Sequence, residues 1–134
     1  MKLSFRIHKN IDFVFDYLTD MKKFVSVHPV ISQMDKIESG TYLVHETLKI
    51  GFIPFPFTYP VTIDKSIIEK TVSIRAIVFK LTKIEMIFVL TADDDCTIIE
   101  EQVDFNSPFP VKSVMERTFK KQHEILFKNI EAAL

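Results

Sequence analysis

The sequence predicts an α+β fold in which an antiparallel sheet of about seven strands curves around one long C-terminal helix. Three observations favour this class. A first strand is followed by two short helical segments, about eighty residues then show the two-residue period of strands, and an amphipathic helical pattern closes the chain. A single closing helix must bury its apolar stripe against the preceding sheet, so the sheet bends around it and leaves room for a pocket.

Composition is typical of a globular protein and excludes several functional classes. The chain has 134 residues, enough for one domain over residues 1–134, and 47 % of them are hydrophobic against 26 % charged. Its 17 basic and 18 acidic residues give a net charge of −1, so we expect no nucleic-acid partner. The most apolar stretch, residues 72–90, contains Arg75, Lys80, Lys83 and Glu85, so we expect no transmembrane segment.

Two further features indicate the compartment. The single cysteine, Cys96, excludes an intramolecular disulfide and is typical of a reducing environment. Residues 1–9 lack the apolar core of a signal peptide. We therefore expect a cytoplasmic protein.

The first thirty residues predict a strand followed by two short helices. Residues 3–7 alternate apolar and polar side chains, as a half-buried strand does. Asn10 can cap the first helix by accepting a hydrogen bond from a free backbone N–H. A second short helix ends at His28-Pro29, because the residue before a proline avoids helical geometry. The apolar positions of the first helix fall on one face: Ile11, Val14, Phe15 and Leu18.

From residue 31 the period changes to two. Ser39-Gly40 and Asp93-Asp94-Asp95 supply turn residues between strands. A break near Lys80-Leu81 follows from length, because twenty residues exceed a usual strand. The remaining predicted strands are 31–38, 41–49, 59–66, 72–79, 82–91 and 96–105.

Residues 51–59 form a Pro- and Phe-rich segment. Because Pro54 and Pro56 cannot donate to a strand ladder, we expect a connection here and not a central strand. Its aromatic side chains would form a flap over a pocket mouth, a plug that closes the barrel, or a contact with a membrane or a partner.

Ser107-Pro108 predicts the start of the last helix, with serine as cap and prolines in the first turn. The helix would extend roughly 35 Å at 1.5 Å per residue. Thr118, Gln122 and Asn129 lie within its apolar stripe, where an amide without a partner costs free energy. Gln122 would therefore face a ligand or water in a cavity, or bond to a strand. The stripe itself comprises Val111, Met115, Phe119, Leu126, Ile130 and Ala133.

The segment from Asn10 to Asp20, followed by Pro29, resembles the opening helix of the SRPBCC superfamily and its return toward the sheet. Gly40 stands where the first hairpin of these proteins turns, and Phe119–Leu134 is similar to their closing helix. The superfamily includes lipid-transfer START domains, pollen-allergen-like proteins and polyketide cyclases. The resemblance implies the helix-grip fold, with seven antiparallel strands around the last helix and an apolar cavity between them. It implies no single chemistry.

Two strand glutamates share the phase of apolar neighbours. Glu46 lies in the same phase as Val44 and Leu48, and Glu101 in the same phase as Ile99 and Val103. If these phases face inward, both carboxyl groups point at the helix and can act as acid or base where burial raises a pKa. The alternatives are a salt bridge with Arg75 and a register shift that turns each glutamate outward.

The four histidines show no metal-ligand spacing, and the sequence contains no phosphate-binding loop. His45 and Glu46 are adjacent on a strand and point to opposite faces, so they cannot ligate one ion together. We expect neither a metal nor a cofactor. His123 borders the apolar stripe of the last helix, where it would bond within a pocket or pack at its rim.

These features favour a binding protein for a hydrophobic or amphipathic small molecule, such as a lipid or an aromatic metabolite, held between the sheet and the C-terminal helix. One competing interpretation is an enzyme like the polyketide cyclases or dehydratases, with an inward carboxylate or histidine as acid or base. Another is a co-chaperone-like protein-interaction module with a filled interior. No residue is assigned as catalytic. Ligand contacts are expected from Glu46, Phe55, Tyr59, Glu101, Thr118, Phe119, Gln122 and His123.

Overall fold

A seven-stranded antiparallel sheet forms the body of the protein, and its strand order is β1-β7-β6-β5-β4-β3-β2. The computed structural model describes residues 1–134 apart from the side chain of residue 50. The predicted fold class is confirmed, with two short helices after the first strand and one long helix at the end. The elements are β1 (Lys2–Ile7), α1 (Ile11–Thr19), α2 (Met21–Val27), β2 (Ile31–Glu38), β3 (Thr41–Ile50), β4 (Ile53–Ser66), β5 (Thr71–Val78), β6 (Thr82–Asp93), β7 (Cys96–Asn106) and α3 (Lys112–Ala132).

Side-chain caps fix both short helices. The Asn10 side chain accepts a hydrogen bond from the Phe13 N–H at 2.8 Å, so the predicted cap of α1 is confirmed. Asp20 caps α2 in the same way, through the N–H groups of Lys22 and Lys23. The helices bury an apolar face formed by Val14, Phe15, Leu18, Phe24 and Val27.

The Pro- and Phe-rich segment is part of a strand, so the predicted connection over residues 51–59 is wrong. β4 begins at Ile53 and pairs with β3 from Ile53 to Thr62, with Leu48 opposite Phe55 and Glu46 opposite Phe57. Only Gly51 and Phe52 form the turn, with Gly51 at a positive φ of 65°. The segment therefore extends the sheet as a β3–β4 hairpin.

The prolines are tolerated because all of them lie at even-numbered positions of β4. The Ile63 N–H bonds to the Gly40 carbonyl oxygen on the β3 side, so odd-numbered residues of β4 direct their N–H groups toward β3. The N–H groups that Pro54 and Pro56 lack would therefore have pointed away from β3. Pairing with β5 starts at Val61, so no strand is paired with that side of residues 53–60.

The last helix starts later than predicted. α3 begins at Lys112, after a non-helical Val111, and not at Ser107-Pro108. Pro110 disfavours helical geometry at the residue before it, which keeps this stretch extended or turned. Ser107 stabilises the turn instead, because its Oγ accepts a hydrogen bond from the Phe109 N–H at 3.2 Å.

The two halves of α3 differ in how they pack. Its C-terminal half is buried in the core, where Phe127 packs on Phe5 at a centroid distance of 4.6 Å. Phe127 was absent from the predicted stripe. Toward the N-terminal end, Met115 and Phe119 are only half-buried. The hollow predicted between helix and sheet lies beneath this half, as the next subsection describes. No helix over the described residues is long and apolar enough to cross a membrane.

Candidate functional site

Two adjoining chambers lie between the sheet and α3. The outer chamber has a volume of about 310 Å³ and is bounded by Leu48, Phe57, Val78, Phe79, Met115 and Thr118. The inner chamber has a volume of about 50 Å³ and is bounded by Phe24, Met34, Val61, Ile74, Phe88 and Leu126. Five residues line both chambers and mark the junction between them: Glu46, Tyr59, Ile84, Phe119 and Gln122.

A carboxyl–phenol pair stands at this junction. The Tyr59 hydroxyl donates a hydrogen bond to Glu46 Oε1 at 2.6 Å, across the β3–β4 ladder. Burial raises the pKa of the Glu46 carboxyl, and the bond from Tyr59 and the nearby His123 only partly oppose this. Burial and the adjacent Glu46 also raise the pKa of Tyr59 far above its ordinary value, so the phenol stays protonated.

A buried carboxyl–imidazole pair lies deeper. Nδ1 of His123 lies 2.7 Å from Oε1 and 2.6 Å from Oε2 of Glu101, and both side chains are almost completely buried. One N–H therefore faces two oxygens and forms its hydrogen bond to Oε1. Oε2 has no donor of its own among the described residues. Glu101 thus fixes the ring of His123, which lines the inner chamber.

His28 is the second imidazole group near the site and lies where α2 returns to β2. Its Nδ1 accepts hydrogen bonds from the N–H groups of Val30 and Ile31, at 3.2 and 3.1 Å. Burial, with a smaller contribution from His123, lowers the pKa of His28 from 6.5 to about 3. His28 is therefore neutral and serves as an acceptor for the backbone.

The structure brings most of the sequence-predicted site residues together. Glu46, Tyr59, Phe119 and Gln122 meet at the junction, Thr118 lines the outer chamber, and His123 lines the inner chamber with Glu101 behind it. Phe55 lines neither chamber. It lies outside, against Phe57 and Phe79 at centroid distances of 6.0 and 6.2 Å. Contact of these residues with a ligand stays a prediction.

Neither alternative offered for the glutamates is found. Arg75 pairs with Asp64 on the exposed face at 3.2 Å, and not with either glutamate. The strand registers also hold both glutamates inward, since Glu101 is buried between Ile99 and Val103 on β7 and Glu46 lines both chambers.

Sequence reasoning missed several lining residues, notably Phe57, Phe79 and His28. The signal for Phe57 was present in the sequence. Apolar side chains occupy the odd positions from 53 to 63, in phase with Tyr59, while prolines occupy even positions. Interpreting residues 51–59 as a loop concealed this alternation. His28 depends on a tertiary contact that no local pattern indicates.

No lysine or arginine lines either chamber among the described residues. Over the same part of the chain, no group of three or more His, Cys, Asp or Glu side chains is placed to hold a metal ion. The polar equipment of the site therefore consists of carboxyl, imidazole, phenol, hydroxyl and amide groups.

The outer chamber opens between three segments that we call the rim: residues 49–55, 78–83 and 106–114. Phe55 and Phe79 join the first two segments at a centroid distance of 6.2 Å. Thr82 Oγ1 and Ser107 Oγ lie 3.0 Å apart and join the second to the third. The rim exposes large apolar side chains, namely Phe52, Ile53, Phe55, Phe79, Leu81, Phe109 and Val114.

A family model for CoxG, described as a subunit of carbon monoxide dehydrogenase, matches residues 4–134. The chain belongs to the CoxG family. No curated protein matches this CoxG chain in sequence.

Solved structures similar to this CoxG chain carry the same fold at low identity. They include a START superfamily protein from Mycobacterium smegmatis, with 14 % identity, a TM-score of 0.72, and coverage of 98 % of this chain and 94 % of the other. Ara h 8.0201 has 16 % identity, a TM-score of 0.75, and coverage of 98 % and 94 %. The Zhui aromatase/cyclase from Streptomyces sp. R1128 has 13 % identity, a TM-score of 0.68, and coverage of 96 % and 92 %. The CoxG family match, together with these likenesses of fold, confirms the predicted SRPBCC superfamily.

Proposed function

We propose that this protein binds a hydrophobic or amphipathic small molecule across the two chambers. The single observation that supports this most is the outer chamber, which is mostly apolar and has a volume of about 310 Å³. That volume falls within the range of ligand pockets, roughly 300–1,000 Å³. The inner chamber, at about 50 Å³, has room for a small polar group or a few waters beside Glu46 and His123.

Burial of apolar surface would supply the affinity. The outer chamber presents Leu48, Phe57, Val78 and Met115, which would contact the body of a ligand. The polar groups are concentrated at the junction and beyond it, which fixes the direction in which an amphipathic molecule would enter. Its apolar body would remain in the outer chamber and its polar end would reach the inner one.

Titration with the fluorescent apolar probe N-phenyl-1-naphthylamine tests this function. Thr118→Phe places a ring in the outer chamber, and we expect it to weaken probe binding about tenfold or more, because the cavity is filled. Arg117→Phe adds the same ring at the exposed neighbouring position of α3 and serves as the matched control. Equal affinity of both variants and the unmodified protein would contradict the proposal.

The rim supports a transient contact with a membrane as the route by which an apolar ligand enters. Its three segments contain Lys49, Lys80, Lys83 and Lys112, all exposed, and no acidic residue. Exposed aromatic side chains beside lysines suit an anionic lipid surface, where the rings enter the interface and the ammonium groups meet phosphates. A ligand leaving the bilayer there would not cross water.

The buried Glu101–His123 pair favours a second candidate, an acid/base enzyme. A carboxylate that holds one ring nitrogen of a histidine orients the other for proton transfer, and Nε2 has no hydrogen-bond partner among the described residues. One structural neighbour is an aromatase/cyclase. An aromatic polyketide substrate turned over by the unmodified protein, and bound but not turned over by Glu101→Gln, would support this candidate.

A further inference from the structure

We infer that the site selects ligands whose polar end is neutral or cationic and donates a hydrogen bond, such as a hydroxyl or an amine, and rejects carboxylates and phosphates. This rests on the proposed function and assigns the ligand's chemical class. One carboxyl group, that of Glu46, lines the junction, a second, that of Glu101, lies behind His123, and no lysine or arginine lines either chamber among the described residues.

The charges favour this selection in every protonation state of His123. With both glutamates ionised, a protonated His123 leaves a net charge of −1, and a neutral His123 leaves −2. His28 adds no positive charge, because its Nδ1 accepts two backbone hydrogen bonds. An anion beside Glu46 would meet a like charge in a medium of low dielectric constant, where repulsion is stronger than in water.

The free hydrogen-bonding groups favour a donor. Glu46 Oε1 is occupied by Tyr59, whose hydroxyl is thereby used as a donor. The hydrogen bond to Glu46 engages Oε1 and leaves Oε2 without a partner among the described residues. The buried Glu101 Oε2 has no donor of its own. Among the groups that carry charge at this end of the cavity, the unsatisfied atoms are therefore carboxylate oxygens, while the neutral Gln122 amide at the junction can either donate or accept. A ligand hydroxyl or ammonium group at the junction would satisfy Glu46, whereas a ligand carboxylate would add a further acceptor.

Three probes of matched shape test the inference: 2-naphthol, 2-naphthylmethylamine and 2-naphthoate. For the unmodified protein at pH 7.5 we expect 2-naphthoate to bind at least about tenfold more weakly than 2-naphthol, because like charges destabilise the complex. Glu46→Gln keeps an acceptor for Tyr59 and removes the charge. It should recover most of the loss for 2-naphthoate and weaken the amine, while Glu100→Gln, exposed on the same sheet, should change neither.

A pH series adds an independent readout. The titratable side chains around the inner chamber are Glu46 on β3, Tyr59 on β4, His123 on α3 with Glu101 of β7 against it, and His28 after α2. An anion admitted beside Glu46 requires a proton to be taken up. The affinity for 2-naphthoate should therefore fall with rising pH, by up to about tenfold per pH unit, while the affinity for 2-naphthol stays level.

The outcomes separate this inference from the proposed function. Binding of 2-naphthoate as tight as that of 2-naphthol, unaffected by Glu46→Gln and by pH, overturns the selection of donors and leaves the binding function standing. Failure of all three naphthalene probes and of N-phenyl-1-naphthylamine overturns both. The comparison of 2-naphthoate with 2-naphthol in the unmodified protein tests the inference even where Glu46→Gln fails to fold.

Discussion

At the scale of single residues, the Glu101–His123 pair combines the deepest burial with charge. Both side chains are almost fully buried, and His123 is the donor to Glu101. An exposed counterpart exists on the outer face, where His45 Nε2 lies 2.8 Å from Asp35 Oδ2. The two pairs have similar chemistry and differ mainly in burial, so they form a natural comparison.

We expect His123→Leu to lower the free energy of unfolding by about 3 kcal/mol or more, because it leaves a buried carboxyl group without its donor. His45→Leu, the matched control, should cost less than about 1 kcal/mol, since an exposed pair is weak. Urea denaturation of both variants measures the difference. Losses of equal size would show that the buried pair contributes no more than the exposed one.

His28 provides the clearest pH dependence of stability. Its pKa is about 3 in the folded protein against 6.5 ordinarily, so between these values the unfolded chain binds more protons. The stabilisation is present above pH 6.5 and is lost progressively as pH falls toward 3. His28→Asn keeps an oxygen that can accept the Val30 and Ile31 N–H groups but cannot titrate in this range.

We therefore expect His28→Asn to stay within about 1 kcal/mol of the unmodified protein at pH 7.5 and to lose less stability on acidification. His28→Leu removes the acceptor and should be less stable at every pH, by about 1–3 kcal/mol. Chemical denaturation at a series of pH values measures both effects. An unchanged pH slope in His28→Asn would contradict the assignment of this dependence to His28.

At the scale of elements, β4 shows how a strand accommodates three prolines. Pro54, Pro56 and Pro60 lie where no partner strand requires an N–H. The same argument extends to other positions of the strand, since Thr58 shares their parity and Phe55 does not.

We expect Thr58→Pro to leave thermal stability nearly unchanged, because the N–H of Thr58 points away from β3. Phe55→Pro removes an N–H directed at β3 and should destabilise the hairpin by about 1–3 kcal/mol more than Phe55→Ala, which controls for loss of the ring. Hydrogen exchange of residues 46–59 would localise the effect. Equal tolerance of both prolines would contradict the parity argument.

Element boundaries were predictable where local chemistry determines them. Asn10 and Gly40 act locally, and a cap or a turn at these positions follows from their side chains alone. The start of α3 and the strand over 53–58 were wrongly predicted for one common reason. Prolines limit backbone choices without specifying the outcome. In β4 the outcome depends on where pairing with β5 begins, and before α3 it depends on the turn at residues 107–109.

At the scale of the whole molecule, the order of sequence periods was enough to predict the sheet and the terminal helix. The junction was only partly predictable, because alternation shows that Glu46 and Glu101 face inward but cannot show which partners they meet. Tyr59 and His123 approach them from β4 and α3, through tertiary packing. The separation of the hollow into two chambers likewise depends on side-chain volumes in three dimensions.

The rim leads to an expectation about lipid surfaces. The protein should co-sediment with phosphatidylcholine vesicles that contain about 30 % phosphatidylglycerol, and less with phosphatidylcholine alone, since each lysine near an anionic surface contributes about 1 kcal/mol. Phe52→Asp and Lys80→Glu should each reduce the bound fraction. Ile68→Asp, at an exposed apolar turn on the opposite end of β5, is the control. A reduction by Ile68→Asp equal to that by Phe52→Asp would show that the rim has no special part.

A crystal structure of the protein with 2-naphthol tests the central claim most directly. The account expects the ring system in the outer chamber, against Phe57 and Met115, with the hydroxyl within hydrogen-bonding distance of Glu46 or Gln122. Naphthol bound only elsewhere, with Phe119 and Gln122 closed over an empty junction, would contradict it.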